Sequence, residues 1–180
     1  MRGVVAAALW LASALPVSAA DYQPGAPLET YAGARADFAF RCKGCHGFAG
    51  EGTPGHVPRL DGFVGRFTQV PGGRDYLMRV PGVARAALDD DRLAAVLNWM
   101  LAVYGGDAIA PGFAPFTAAE VGEARRRPLT IERERTRARL IHEFRVRGLI
   151  GPDADAGLPV AVQALEELTT DHPDRQSAGP

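Results

Sequence analysis

The only two cysteines of this 180-residue chain lie three positions apart and run directly into a histidine, in Cys42-Lys43-Gly44-Cys45-His46. No other feature constrains the fold as much. Cys-x-x-Cys-His is the pattern by which haem is attached to a polypeptide. Each thiol adds across one vinyl group, and the two-residue spacing matches the separation of the vinyls on one edge of the macrocycle. The histidine then falls under the iron and supplies the proximal imidazole. Two plainer readings compete. A Cys42–Cys45 disulfide or a thioredoxin-like redox pair is expected beside a βαβ pattern, and none surrounds this segment. A zinc site needs four ligands, and His56 is the only other candidate nearby.

Residues 1–20 support the haem reading. Arg2, an apolar run from Val4 to Val17 and the small residues Ser18-Ala19-Ala20 form a secretory signal peptide. A retained anchor would need about 20 apolar residues, and Pro16 falls near the end of this run. Cleavage after Ala20 starts the mature chain at Asp21, outside the cytoplasm, where haem is attached. No later stretch is apolar enough to span a bilayer, so the mature product is expected to be soluble and periplasmic. The formal net charge is −1, which argues against a nucleic-acid partner, because phosphate binding needs a concentrated positive field. No Gly-x-Gly-x-x-Gly, P-loop or Ser-His-Asp motif points to catalysis.

Around the cysteines, residues 28–104 resemble the class I cytochromes c. Phe38 stands four residues before Cys42, where that family carries an aromatic on its first helix. Ala34 stands where the family usually has a glycine at the helix crossing. Val57-Pro58-Arg59-Leu60-Asp61-Gly62 resembles the family's next segment. The resemblance implies that the Pro58 carbonyl receives the second imidazole proton of His46, which fixes the tautomer. It also implies that Leu60 lies over the haem. Leu88-Asp89-Asp90-Asp91 opens the last helix of the domain, with acids where the helix dipole favours them. Leu93, Val96, Leu97 and Met100 or Leu101 follow at helical spacing. Trp99 holds the aromatic position, and Gly105-Gly106 stops the helix. The family's sixth ligand is a methionine shortly before this helix, where this chain has Val80-Pro81-Gly82. Met78 is the nearest thioether and the preferred distal ligand. Met100, a histidine or an open position are the alternatives. The implied fold is all-α, a class I cytochrome c fold around one covalent haem c held through Cys42 and Cys45, with His46 and Met78 as metal ligands.

Beyond Tyr104 the chain continues past that plan. Residues 105–115 read as a Gly/Pro-rich strap, with Phe113 and Phe116 pinning it down. Thr117-Ala118-Ala119-Glu120 is a capping-box pattern opening a helix to about Arg127. Thr130–Arg147 reads as a second helix with a thin stripe of Ile131, Ala138, Ile141 and Phe144. Leu158–Thr169 reads as a third, and residues 171–180 as a disordered tail. The division expected is a signal peptide at 1–20, a cytochrome domain at 21–104 and a helical extension at 105–170. Nine arginines fall within 125–147. They read either as a solvated face balanced by glutamates or as a docking surface for an acidic partner. The extension is expected to be dispensable for haem binding and to matter for partner recognition. The function expected is electron transfer with periplasmic redox proteins, a dehydrogenase or an oxidase. A haem enzyme or a gas or peroxide sensor with an open iron, and a dedicated dehydrogenase subunit, are the alternatives.

Overall fold

The computed structural model describes residues 32–151. The expected signal peptide at 1–20, the expected start of the mature chain, the expected third extension helix and the expected tail lie outside the described residues. Among the described residues seven α-helices follow one another: α1 (Ala32–Arg41), α2 (Lys43–His46), α3 (Gly73–Arg79), α4 (Pro81–Ala84), α5 (Asp90–Tyr104), α6 (Ala118–Arg125) and α7 (Arg133–Val146). Short 3-10 turns occupy Val64–Gln69 and Gly106–Ala108. The only extended pairing among the described residues is a single bridge between Thr53 and Val57. The architecture of the described residues is all-α, as the resemblance implied.

Local chemistry sets the helix boundaries. Asp89 caps α5 by accepting from Arg92 N at 2.8 Å, leaving Asp90 and Asp91 in the first turn, where the dipole favours them. Thr117 caps α6 by accepting from Glu120 N at 3.2 Å. The capping box is only half used, because the Glu120 carboxylate goes to Arg74 instead. Ile131 is 90% exposed and precedes α7. The inward stripe of α7 runs instead through Arg137, Leu140, Ile141 and Phe144.

α1 crosses α5. Phe38 packs against Trp99 at 5.0 Å between centroids and against Tyr104 at 5.5 Å. A fully buried phenylalanine of this kind is worth about 3–5 kcal/mol against alanine. Ala34, small and buried, lies one turn before Phe38 on the same helix face.

The segment beyond Tyr104 does not lie on a finished domain. Phe116, Val121, Ala124, Leu129, Leu140, Ile141 and Phe144 are buried in the same core as α1 and α5. Fully buried Asn98, on α5, donates to the Phe116 carbonyl at 3.0 Å and accepts from Phe116 N at 2.8 Å. Arg74, on α3, grips the strap from the other side. It donates to the carbonyls of Ala114 and Pro115 and to both Glu120 oxygens. Its guanidinium also lies over Phe113 and Phe116. This fork of charge-assisted bonds holds the Glu120 carboxyl below its usual range. The expectation of a dispensable extension is thus at odds with the packing. Its apolar stripe looks thin in sequence because the strap and α6 supply the rest of the layer.

Candidate functional site

The site begins at α2. Cys42 occupies the position before its first residue, and the amides of Cys45 and His46 both bond to the Cys42 carbonyl, at 3.2 and 3.0 Å. One turn of helix therefore groups the two sulfurs and the imidazole. Gly47, at φ +73°, ends the turn in a conformation that favours glycine. The thiols are free, Cys42 half-buried and Cys45 exposed. Burial, with Asp37 and Cys45 adding to it, pushes the Cys42 thiol up to about 11. A thiol so reluctant to ionise is a poor redox nucleophile or zinc ligand, yet it converts to a thioether without placing charge there. Among the described residues, no group of three or more histidine, cysteine or acidic side chains could hold a metal ion.

His46 Nδ1 donates to the Pro58 carbonyl at 3.1 Å. Because a carbonyl only accepts, the proton is on Nδ1 and the Nε2 lone pair is free on the opposite edge of the ring. Burial lowers the imidazole pKa, the bond to Pro58 offsets part of that shift, and the Arg137 guanidinium lowers it further. The ring is a neutral donor, as a metal ligand must be.

The loop carrying Pro58 is fixed by its own backbone. Gly52 N bonds to the His46 carbonyl, and Thr53 and Val57 pair. The amides of Leu60 and Asp61 share the Gly50 carbonyl, and Gly62 N reaches the Tyr104 carbonyl at the end of α5. Tyr104 Oη closes the ring of contacts by donating to the Phe48 carbonyl at 2.8 Å. Leu60 is buried in the core. A Cβ on Gly52, at φ +66°, would lie 2.4 Å from the Val57 carbonyl oxygen and 2.7 Å from that of Pro58. Gly52→Ala is therefore expected to displace the proximal loop and to destabilise the protein by about 2–3 kcal/mol. A denaturant melt beside Gly55→Ala, where nothing lies within 4 Å, measures the excess. Equal losses would show that only the positive φ matters.

Cytochrome c-552 of Thermus thermophilus is 37% identical over 108 residues, covering 50% of this chain and 82% of the relative. The chain belongs to the monohaem c-type cytochromes. The cytochrome c-552 of a named strain of T. thermophilus shares the same identity over 108 residues, covering 73% of its length. No family model and no solved structure matches. Haem c is the cofactor of these cytochromes, and the donor set here fits it: two free thiols one helical turn apart and a neutral imidazole with Nε2 unengaged.

Met78 is buried on α3 and lines a groove with Glu120, Glu123, Ala124 and Arg127. Tyr76, two positions earlier and so about 200° round the helix, takes the opposite side. It stacks on Phe67 at 5.0 Å. Phe67 in turn meets Phe144 and Phe63, and the Arg137 guanidinium lies over the Phe63 and Phe67 rings. The cytochrome thus brings His46 and Pro58 together, and Arg137 close enough to act on His46. Neither Arg137 nor this aromatic cluster stood out in the sequence. One signal was present: Arg137 occupies the a-type position of an apolar i, i+3, i+4, i+7 pattern with Leu140, Ile141 and Phe144. A lone arginine in such a stripe is a buried cation.

Proposed function

We propose that this cytochrome is a periplasmic electron carrier with one haem, bound covalently through Cys42 and Cys45 and ligated by His46. The observation that carries the reading is the fixed, neutral His46, held by Pro58 in the same helical turn as two free thiols. Haem c supplies a one-electron ferric/ferrous couple. The chain's residues orient the proximal ligand through Pro58 and keep water from it with Leu60 and the aromatic core. They also leave one edge accessible, because Cys45 is exposed between Phe40 and Phe48, which are 85% and 60% exposed. Lys43 Nζ sits 3.9 Å above the Phe48 ring. Such an apolar rim with one cation suits brief docking of a redox protein, a dehydrogenase or an oxidase, more than a tight complex. Among the described residues no helix is long and apolar enough to cross a membrane, and the leader expected at residues 1–20 supports export.

Expression of the full chain in a bacterium with haem-attachment machinery tests this. The periplasmic fraction should hold a protein whose denatured mass includes one haem, and dithionite and ferricyanide should cycle its spectrum reversibly. Apoprotein, or haem lost on denaturation, would overturn the covalent assignment. Retention in the cytoplasm would overturn the location.

A further inference from the structure

We propose that the outer face of α7 is a docking surface for the chain's own acidic end, residues 152–180. The proposal goes beyond the haem reading and stands apart from it. α7 turns Arg137, Leu140, Ile141 and Phe144 inward. Arg135, Arg139, His142 and Val146 share roughly 60° of arc on the opposite side, and all four are exposed. Neither Arg135 nor Arg139 makes a hydrogen bond or ion pair among the described residues. Glutamates of the same helix are already engaged, Glu134 with Arg133 and Glu143 with Arg147. Large apolar side chains stand at both ends, Ile131 at 90% and Val146 at 68% exposure. Two cations between two apolar side chains suit an occupant that is acidic and partly apolar.

The chain that follows α7 has that chemistry. Residues 152–180 carry the acids Asp153, Asp155, Glu166, Glu167, Asp171 and Asp174 against the single base Arg175. Leu158, Val162 and Leu165 recur at i, i+4 and i+7, with Glu166 beside them. The connection also fits. Gly148 N bonds to the Arg145 carbonyl and Leu149 N to the Phe144 carbonyl, with Gly148 at φ +68°. This pair of bonds ends the helix and turns the chain back on it. Arg66 Nε then anchors the Leu149 carbonyl at 2.8 Å. Residues 152–157 can span up to about 20 Å, enough to round a helix about 10 Å across. A helix over Leu158–Thr169 is about 18 Å long. Running antiparallel to α7 from Val146, it brings Glu166 and Glu167 level with Arg139 and Arg135.

Exposed ion pairs are weak singly. The tether makes them count, because a short linker holds the acids at an effective concentration on the order of millimolar. An acidic redox protein approaching α7 has to displace this cover before it meets the arginines.

Amide NMR of the reduced, haem-loaded full chain reads the contact directly. In low salt, the amide signals of residues 152–170 should shift in the double variant Arg135→Gln/Arg139→Gln. Glu166→Gln/Glu167→Gln should in turn shift the amides of α7 around Arg139. Wild type in about 1 M sodium chloride, where charges are screened beyond about 3 Å, should move toward the arginine variant. Arg35→Gln/Arg85→Gln changes the net charge equally at two other exposed arginines and should leave the 152–170 signals in place. Signals that ignore Arg135 and Arg139, or that follow the control pair equally, would overturn the proposal and leave the face to an acidic redox protein. Shifts that grow with protein concentration would also overturn it, by placing the acidic end on a second copy.

Discussion

A chain ending at Gly106 is expected to lose its cooperative fold, and with it stable haem retention in a native pocket. The truncation removes Phe116, Val121, Leu140, Ile141 and Phe144, all with 0% exposure. Deleting one large buried side chain costs about 2–5 kcal/mol, and a domain of this size has roughly 5–15 kcal/mol in all. Losing five together exceeds that margin even if the remainder relaxes. The truncation also strips Asn98 of both its bonds to Phe116, a costly loss for a buried carboxamide. Phe63 and Phe67 lose the edge contacts from Phe144 at 5.9 and 5.0 Å. Thermal unfolding followed by circular dichroism on the truncated, haem-loaded protein decides it. A cooperative melt within a few degrees of the full chain would mean that α6 and α7 are a cover and not a layer of the core.

The sequence was most legible where one residue type has one use. The Cys-x-x-Cys-His run located α2 and its donors, and the acidic start and paired glycines bounded α5 to within two residues. Thr117 was readable as a cap for the same reason: its hydroxyl does locally what it does here. The long-range partners were not legible. Glu120 satisfies the capping-box pattern, but Arg74, 46 positions away, offers its carboxylate two charge-assisted bonds and wins it. Tyr76 stacks on Phe67, a contact 9 positions apart that nothing local in the chain announces. The arginines of the extension share a composition and little else. Arg137 is 5% exposed, whereas Arg126 and Arg147 pair locally with Glu123 and Glu143 on the surface.

Arg125 separates those two kinds of arginine by experiment, and Arg125→Ala is expected to cost about 2–4 kcal/mol. The residue ends α6, but its guanidinium serves the turn that joins α4 to α5. Nε donates to the Ala84 carbonyl at 3.1 Å, Nη2 to that of Ala86 at 2.5 Å, and Nη1 to that of Leu88 at 2.8 Å and to Asp90 at 3.0 Å. A single planar fork thus satisfies three main-chain oxygens that no helix ladder supplies. It also pairs with a carboxylate in the first turn of α5. Alanine leaves the Ala84 and Leu88 oxygens without the fork at a side chain only 18% exposed, while Ala86 keeps the bond from Leu88 N. Arg125→Lys should recover little, since one ammonium cannot span three carbonyls in that geometry. Arg126→Ala is the control: its side chain is 66% exposed and pairs only with Glu123, so its cost should stay within about 0.5 kcal/mol. Guanidinium chloride midpoints of the four haem-loaded proteins measure all of this. If Arg125→Ala and Arg126→Ala unfold together near the wild-type midpoint, the turn before α5 is held by its own backbone and the fork is incidental.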